Sequence, residues 1–245
     1  MRNLIVGDIH GCYSKLVKAL DNAHFSREHD NLYSVGDFCD RGEENLKVLR
    51  FLMALPRFFP VLGNHDLWLM SFLKTGLVDD SWFYYNGGEK TVSEFRALIK
   101  SAEEPRIILQ WISRIPVVRM TDKYIIVHGG LIGNVEKSFS QPLDIMPKQQ
   151  KTKAIEMIWD RSFLNKVISN NKTSSDDLEP LARCLKQRIF VGHTPFVEPF
   201  YSRAFDLIAI DTGAYMDEQP LVVMDMDSLE YWSDIHSNPQ TVTMH

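Results

Sequence analysis

Five short clusters hold the residues best able to do chemistry in this chain: Gly7-Asp8-Ile9-His10-Gly11, Gly36-Asp37-Phe38-Cys39-Asp40-Arg41-Gly42, Gly63-Asn64-His65-Asp66, His128-Gly129-Gly130 and Gly192-His193-Thr194-Pro195. Each sets a carboxylate, an imidazole or a carboxamide beside glycine, and all but the second follow an apolar run. Strands that end in tight loops and deliver ligands to one sheet edge give this pattern. Oxygen and nitrogen ligands gathered in that way are what a two-metal hydrolytic centre requires.

Asp8 and His10 lie two apart after a strand-like run, so on extended backbone both project to the same side and could share one metal. Asp37 is the natural bridging carboxylate, since its loop also carries Asp40 and Arg41. The planar guanidinium of Arg41 matches a phosphate in bidentate fashion, although an isolated Asp–Arg pair would read as a surface ion pair. Asn64 offers a neutral oxygen ligand. His65 points elsewhere and is left free as a proton donor, with Asp40 the candidate carboxylate to hold its tautomer. Asp66 reads as an N-cap for the next helix. His128 and His193 each end a β-type run, and nitrogen ligands favour manganese, iron or zinc over magnesium alone. Cys39, between the two acids, reads as a buried inert thiol in preference to an oxidisable one.

The elements that must position these residues are alternating strands and helices. Residues 3–6, 31–35 and 58–62 read as strands, with helices over 44–54 and 67–73 and an amphipathic one carrying Leu16, Val17 and Leu20. Residues 79–114 read as a helical insertion with a turn at Asn86-Gly87-Gly88. Residues 117–120 and 124–127 read as strands paired around Thr121-Asp122-Lys123, and 189–191, 204–210 and 221–226 as further strands. Residues 135–186 are expected to be an irregular variable loop region with an exposed patch at 170–177, and 236–245 a loose tail. The expected architecture is α/β, a single domain over residues 1–235.

At 245 residues, 44% of them apolar and 24% charged, the chain has an ordinary globular composition. A net charge of -5 gives no electrostatic reason to expect nucleic-acid binding. Cys12, Cys39 and Cys184 are few, odd in number and far apart, as in a reduced cytoplasmic protein. There is no apolar run long enough to span a membrane and no signal-peptide pattern, so no membrane partner is expected.

Taken together, the five motifs resemble the phosphoprotein phosphatase family of calcineurin-like metallophosphoesterases, in its compact bacterial and bacteriophage branch. The resemblance runs over residues 2–226 and is loose across 79–114 and 135–186. It implies a β-sandwich of mixed sheets flanked by helices, with a dimetal site at strand-end loops. It also implies Asp8, His10 and Asp37 on one cation and Asp37, Asn64, His128 and His193 on the other, with Mn2+ ahead of Fe and Zn. His65 would be the general acid paired with Asp40, and Arg41 would bind phosphate. Trp159-Asp160-Arg161 resembles the family segment whose arginine also grips phosphate, which assigns Arg161 that role. The Asn86-Gly87-Gly88 segment would lie near the substrate entrance. The activity implied is in-line attack of a metal-bridging hydroxide on a phosphomonoester, as in a protein serine/threonine phosphatase, with phosphotyrosine also within reach. The substrate would be a phosphorylated protein or small phosphoester, and no docking segment for a regulatory subunit is evident. Two departures matter. Asp66 stands where these phosphatases usually carry Glu, as it does in diadenosine tetraphosphatases, the alternative reading. Those nucleotide hydrolases, however, tend to lose the second Asp of the motif that is complete here.

Overall fold

The computed structural model describes residues 1–98, 103–133, 137–170 and 186–243. Its framework is two mixed sheets. In the first, β1 (Asn3–Val6) pairs in parallel with β2 (Asn31–Ser34), and β2 with β3 (Phe58–Pro60). In the second, β4 (Val118–Met120) lies antiparallel to β5 (Tyr124–Val127), which is parallel to β6 (Arg188–Val191). That strand is in turn parallel to β8 (Leu207–Ala209), and β7 (Phe200–Ser202) closes the edge as an antiparallel strand. The first sheet continues antiparallel from β1 through β9 (Val222–Asp225), β10 (Glu230–Ser233) and β11 (Gln240–Thr241).

Alternation along the strands sorts the side chains between two cores. Ile5, Tyr33, Met224, Ile126, Phe190 and Ile208 meet between the sheets. Leu4, Val6 and Leu32 face outward instead, onto α1 (Tyr13–Asn22) and α2 (Asn45–Met53) through Leu16, Leu20, Leu49 and Leu52. The strands are buried on both faces where they are parallel, which is why they read as continuous apolar runs. The expected mixed α/β sandwich is therefore what forms.

The expected helical stretch at 79–114 contains α4 (Asp80–Tyr85), α5 (Gly88–Ala97) and α6 (Glu103–Ile112). Two expectations need correction. The described part of 135–186 is not loop: α7 (Lys148–Trp159) and α8 (Ser162–Asn170) cross it, burying Ala154, Met157 and Ile158 on a narrow stripe that a polar opening turn disguises. The tail is not loose either, because Gln240–Thr241 pairs with β10 and Val242 is buried. The patch over 171–177 and Cys184 lie outside the described residues. Among the described residues, no helix is long and apolar enough to cross a membrane.

Candidate metal centre

Six parallel strands end at one place. β1 leads to Asp8 and His10, β2 to Asp37, Asp40 and Arg41, β3 to Asn64 and His65, β5 to His128, and β6 to His193. Ligand sites in α/β sheets characteristically lie at such carboxyl ends. The sixth strand, β8, leads to Asp211, which the sequence reading missed. Its signal was present: an apolar run followed by Asp211-Thr212-Gly213 repeats the grammar of the other clusters.

Asp37 is the hub. Its Oδ2 lies 3.3 Å from His128 Nε2, 3.6 Å from His10 Nε2 and 4.0 Å from His65 Nε2. Its Oδ1 accepts the His65 backbone N–H at 2.9 Å, which fixes the carboxylate plane. Two imidazoles are aimed by backbone carbonyls. His128 Nδ1 donates to Val35 O at 2.7 Å and His10 Nδ1 to Cys39 O at 2.9 Å, leaving each Nε2 facing inward. Asn64 Oδ1 joins His128 Nε2 at 3.0 Å.

Local backbone geometry makes this convergence possible. Five of the nine non-glycine residues with left-handed φ among the described residues are His10, Asp37, Asp40, Arg41 and His193. Such conformations are unfavourable by about 1 kcal/mol or more each and persist only where the surroundings dictate them. The loop after β1 is therefore not extended at His10, contrary to the sequence reading. The two loops are instead laced together, Ile9 N and His10 N both donating to Asp37 O at 3.0 and 2.9 Å. Asp66 is not an N-cap. It is the third residue of α3 (Asn64–Thr75), and its carboxylate accepts the backbone N–H groups of Gly63, Asp37 and Phe38 at 2.8, 2.9 and 3.0 Å.

Buried acids give the site its electrostatic character. Burial, then the Asp211 and Asp37 carboxylates, pushes Asp8 well above the usual carboxylate range. Burial likewise raises Asp66 to about 7, helped by Asp37, and Asp211 to about 6. Burial would raise Asp37 too, but the surrounding His128, His65 and His10 hold it far below the ordinary value. Burial opposes a charge on His128, yet Asp37 and Asp8 push it up to about 10. His193 is lowered to about 3 by burial and by His128, and burial with His65 lowers His10. The cluster thus calls for added positive charge.

The residues fit divalent cations. Two groups, His10–Asp37–His65 and Asp37–His128–His193, each place one ligand atom per residue within 4.8 Å of one another, and they share Asp37. Asp8 stands outside both groups: its Oδ2 accepts His193 N at 3.1 Å, while its buried Oδ1 has no hydrogen-bond partner. An orphaned buried carboxylate oxygen at the edge of an imidazole cluster is the kind of group that a cation satisfies. Gly192 leaves room for it, since a Cβ there would lie 2.2 Å from Asp8 Oδ1.

His65 is in the first group, but its ring is committed elsewhere. Its Nδ1 meets Asp40 Oδ2 at 2.6 Å and its Nε2 lies 3.3 Å from Arg41 Nη2. Arg41 stacks over Tyr215 at 4.1 Å from the ring centre, and Arg161 Nε donates to His193 Nε2 at 3.1 Å. Tyr215, another residue the sequence reading passed over, comes from the same loop as Asp211.

Residues 1–197 match the family model for calcineurin-like phosphoesterases. The chain belongs to that family. Its relatives include a symmetrical bis(5'-nucleosyl)-tetraphosphatase of Dechloromonas aromatica, 33% identical over 133 residues that cover 54% of this chain and 45% of the relative. A serine/threonine-protein phosphatase 2 of Salmonella typhimurium is 37% identical over 131 residues, 51% of this chain and 56% of that protein. The chain thus spans about half the length of the curated relatives it matches. Among solved structures, a cold-active protein-tyrosine phosphatase of a Shewanella species superposes with a TM-score of 0.64 at 15% identity, over 99% of this chain and 80% of that one, a likeness of fold.

Proposed function

We propose that this chain hydrolyses phosphomonoesters, with phosphoserine and phosphothreonine of proteins as the leading substrates and phosphotyrosine within the same chemistry. Asp8, His10 and Asp37 would hold one divalent cation, and Asp37, Asn64, His128 and His193 a second, manganese being the first candidate. Two such cations supply Lewis acidity and an activated water. Arg41 and Arg161 bind and orient the phosphate oxygens. His65 Nδ1 keeps its proton on Asp40, so Nε2 is the atom that takes up a proton and passes it to the leaving oxygen.

The carrying observation is the buried 2.6 Å pair of His65 and Asp40. A serine alkoxide leaves only with a proton, whereas a nucleoside diphosphate is already a stable anion. A fully built proton-delivery pair therefore favours the phosphomonoester. The second reading, hydrolysis of diadenosine tetraphosphate on the same centre, has specific support in the tetraphosphatase relatives and in Asp66.

His65→Asn tests the first reading on manganese-loaded protein. Loss of a general acid is worth about 10²–10⁴-fold, so turnover of a phosphoserine peptide should fall by that order while p-nitrophenyl phosphate, with its stable leaving group, changes little. Equal losses on both overturn the role of His65. Parent protein given the peptide and diadenosine tetraphosphate together should release free phosphate and leave the dinucleotide intact. Rapid appearance of adenosine diphosphate with the peptide untouched would favour the second reading.

A further inference from the structure

Asp40 is fully buried, and among the described residues its ion-pair partner is His65. Other than His65, the groups on its carboxylate among the described residues are two neutral donors from the helical insertion. Trp82 Nε1 of α4 donates to Oδ2 at 2.6 Å, the same oxygen that meets His65 Nδ1, and Thr91 Oγ1 of α5 donates to Oδ1 at 2.5 Å. The Thr91 hydroxyl oxygen also accepts the Asp40 backbone N–H at 3.1 Å, and Asn45 Oδ1 accepts it at 2.7 Å. Asp40 itself sits at a left-handed φ of 77°, a conformation these bonds hold in place.

The insertion is seated for this task. Gly87, at φ +76°, passes so close to the Arg41 backbone that a Cβ would come within 2.7 Å of it, and Arg41 N donates to Gly87 O at 3.1 Å. Lys90 Nζ donates to Arg41 O at 3.0 Å. Glu94 accepts Asn45 N at 2.9 Å and Leu46 N at 2.9 Å, which ties α5 to the start of α2.

We infer that Trp82 and Thr91 are positioning residues: by fixing both oxygens of Asp40 they hold the His65 ring at the angle from which it protonates the leaving group. The helices α4 and α5 thereby govern proton delivery in addition to flanking the site. The inference rests on the role proposed for His65. Removing one donor lets the carboxylate rotate about its χ2, and the imidazole loses its fixed acceptor.

The test compares Thr91→Val, Thr91→Ser, Trp82→Phe and His65→Asn on two substrates, p-nitrophenyl phosphate and β-glycerophosphate, whose alkoxide needs a proton. Outer partners of catalytic groups are typically worth about 10–100-fold. Thr91→Val, which keeps the shape and removes the hydroxyl, should lower kcat on β-glycerophosphate by that order and leave p-nitrophenyl phosphate and manganese affinity nearly unchanged. Thr91→Ser should restore the activity, and Trp82→Phe, if it keeps its near-ultraviolet circular dichroism, should show the same selectivity as Thr91→Val. If His65→Asn is selective for the alkyl ester but Thr91→Val loses nothing, or loses equally on both substrates, the positioning role is wrong. If His65→Asn itself loses equally on both, the failure lies in the proton-donor reading.

Discussion

Removing the Asp66 carboxylate should unsettle the whole centre without touching a ligand. Three backbone N–H groups converge on it, two on Oδ2 from Gly63 and Asp37 and one on Oδ1 from Phe38. All three belong to the loops that carry Asp37 and Asn64. Hydrogen bonds to a charged group contribute about 1.5–3 kcal/mol each, and a buried donor left unmade costs about 1–3 kcal/mol. Two effects offset the gross loss in Asp66→Ala. The carboxylate is itself unfavourably buried beside Asp37, which is why it is raised to about 7. The small polar void left behind, lined by three donors, also suits a water molecule. A net cost of about 2–4 kcal/mol follows, a large part of the ~5–15 kcal/mol that holds a domain folded.

Asp66→Asn makes the estimate discriminating. With its carbonyl in the Oδ2 position the amide keeps the Gly63 and Asp37 bonds, and its NH2 then faces the Phe38 N–H, so one donor is orphaned at about 1–3 kcal/mol. Relief of the repulsion with Asp37 offsets part of that. Urea denaturation followed by circular dichroism, with chelator present so that metal does not mask the difference, should therefore rank the parent above Asn and Asn above Ala. An Ala variant within about 0.5 kcal/mol of the parent, or an Asn variant costlier than Ala, would refute the reasoning.

Three further outcomes are expected. Gly192→Ala drives a methyl group into Asp8 Oδ1 and the Val35 side chain, so isothermal titration should show manganese affinity reduced by at least about tenfold; unchanged affinity would remove Asp8 from the centre. Burial works against Asp30, but the side-chain and backbone hydrogen bonds from Arg2 and the Ser26 N–H lower it from 3.8 to about 2. Its contribution is present above pH 3.8 and lost as the pH falls through 2, so Asp30→Asn should remove that part of the acid limb in pH-dependent unfolding, and an unaltered limb contradicts it. Ile208→Val in the inter-sheet core costs about 0.5–1.5 kcal/mol and should weaken metal binding more than an equally destabilising change at Leu49 on the inner face of α2. Equal effects of the two would mean that the seam between the sheets does not set the ligand spacing.

The candidate site was legible because its pattern is written locally. A strand followed by a glycine-flanked acid or imidazole is a short-range pattern, and it located Asp8, His10, Asp37, Asn64, His65, His128 and His193 at the strand ends where the structure gathers them. What was not legible depends on contacts far apart in sequence. Trp82 and Thr91 reach Asp40 across 42 and 51 residues, and nothing in their neighbourhood distinguishes them from ordinary helix residues. Helix α3 was expected to begin at 67, where its apolar stripe starts, but the bond from Asp66 back to Gly63 N–H begins it at Asn64. In α7 the buried stripe is only Ala154, Met157 and Ile158, too narrow against the Lys and Gln of its first turn to announce a helix.

The two sheets explain why the site needs so much of the chain. Asp8, His10, Asp37 and Asn64 come from the first sheet, and His128, His193 and Asp211 from the second. The donors proposed for one cation, Asp8, His10 and Asp37, all follow strands of the first sheet. Those proposed for the second, Asp37, Asn64, His128 and His193, are drawn from both, so the two-cation centre as proposed needs both sheets packed together at their carboxyl ends. Interiors are close-packed and transmit small displacements, and Ile5, Ile126, Phe190 and Ile208 fill the seam between the sheets whose strands lead to the candidate ligands. The left-handed residues add to what packing begins: His10, Asp37, Asp40, Arg41 and His193 all depart from extended backbone just after the strands that carry them. Their conformational cost is met by bonds such as those from Ile9 and His10 to Asp37 O, which lie within the site and are lost when it loosens. Backbone strain, buried acid and inter-sheet packing are thus coupled, and a cation that relieves the repulsion among Asp8, Asp37 and Asp211 stabilises all three together.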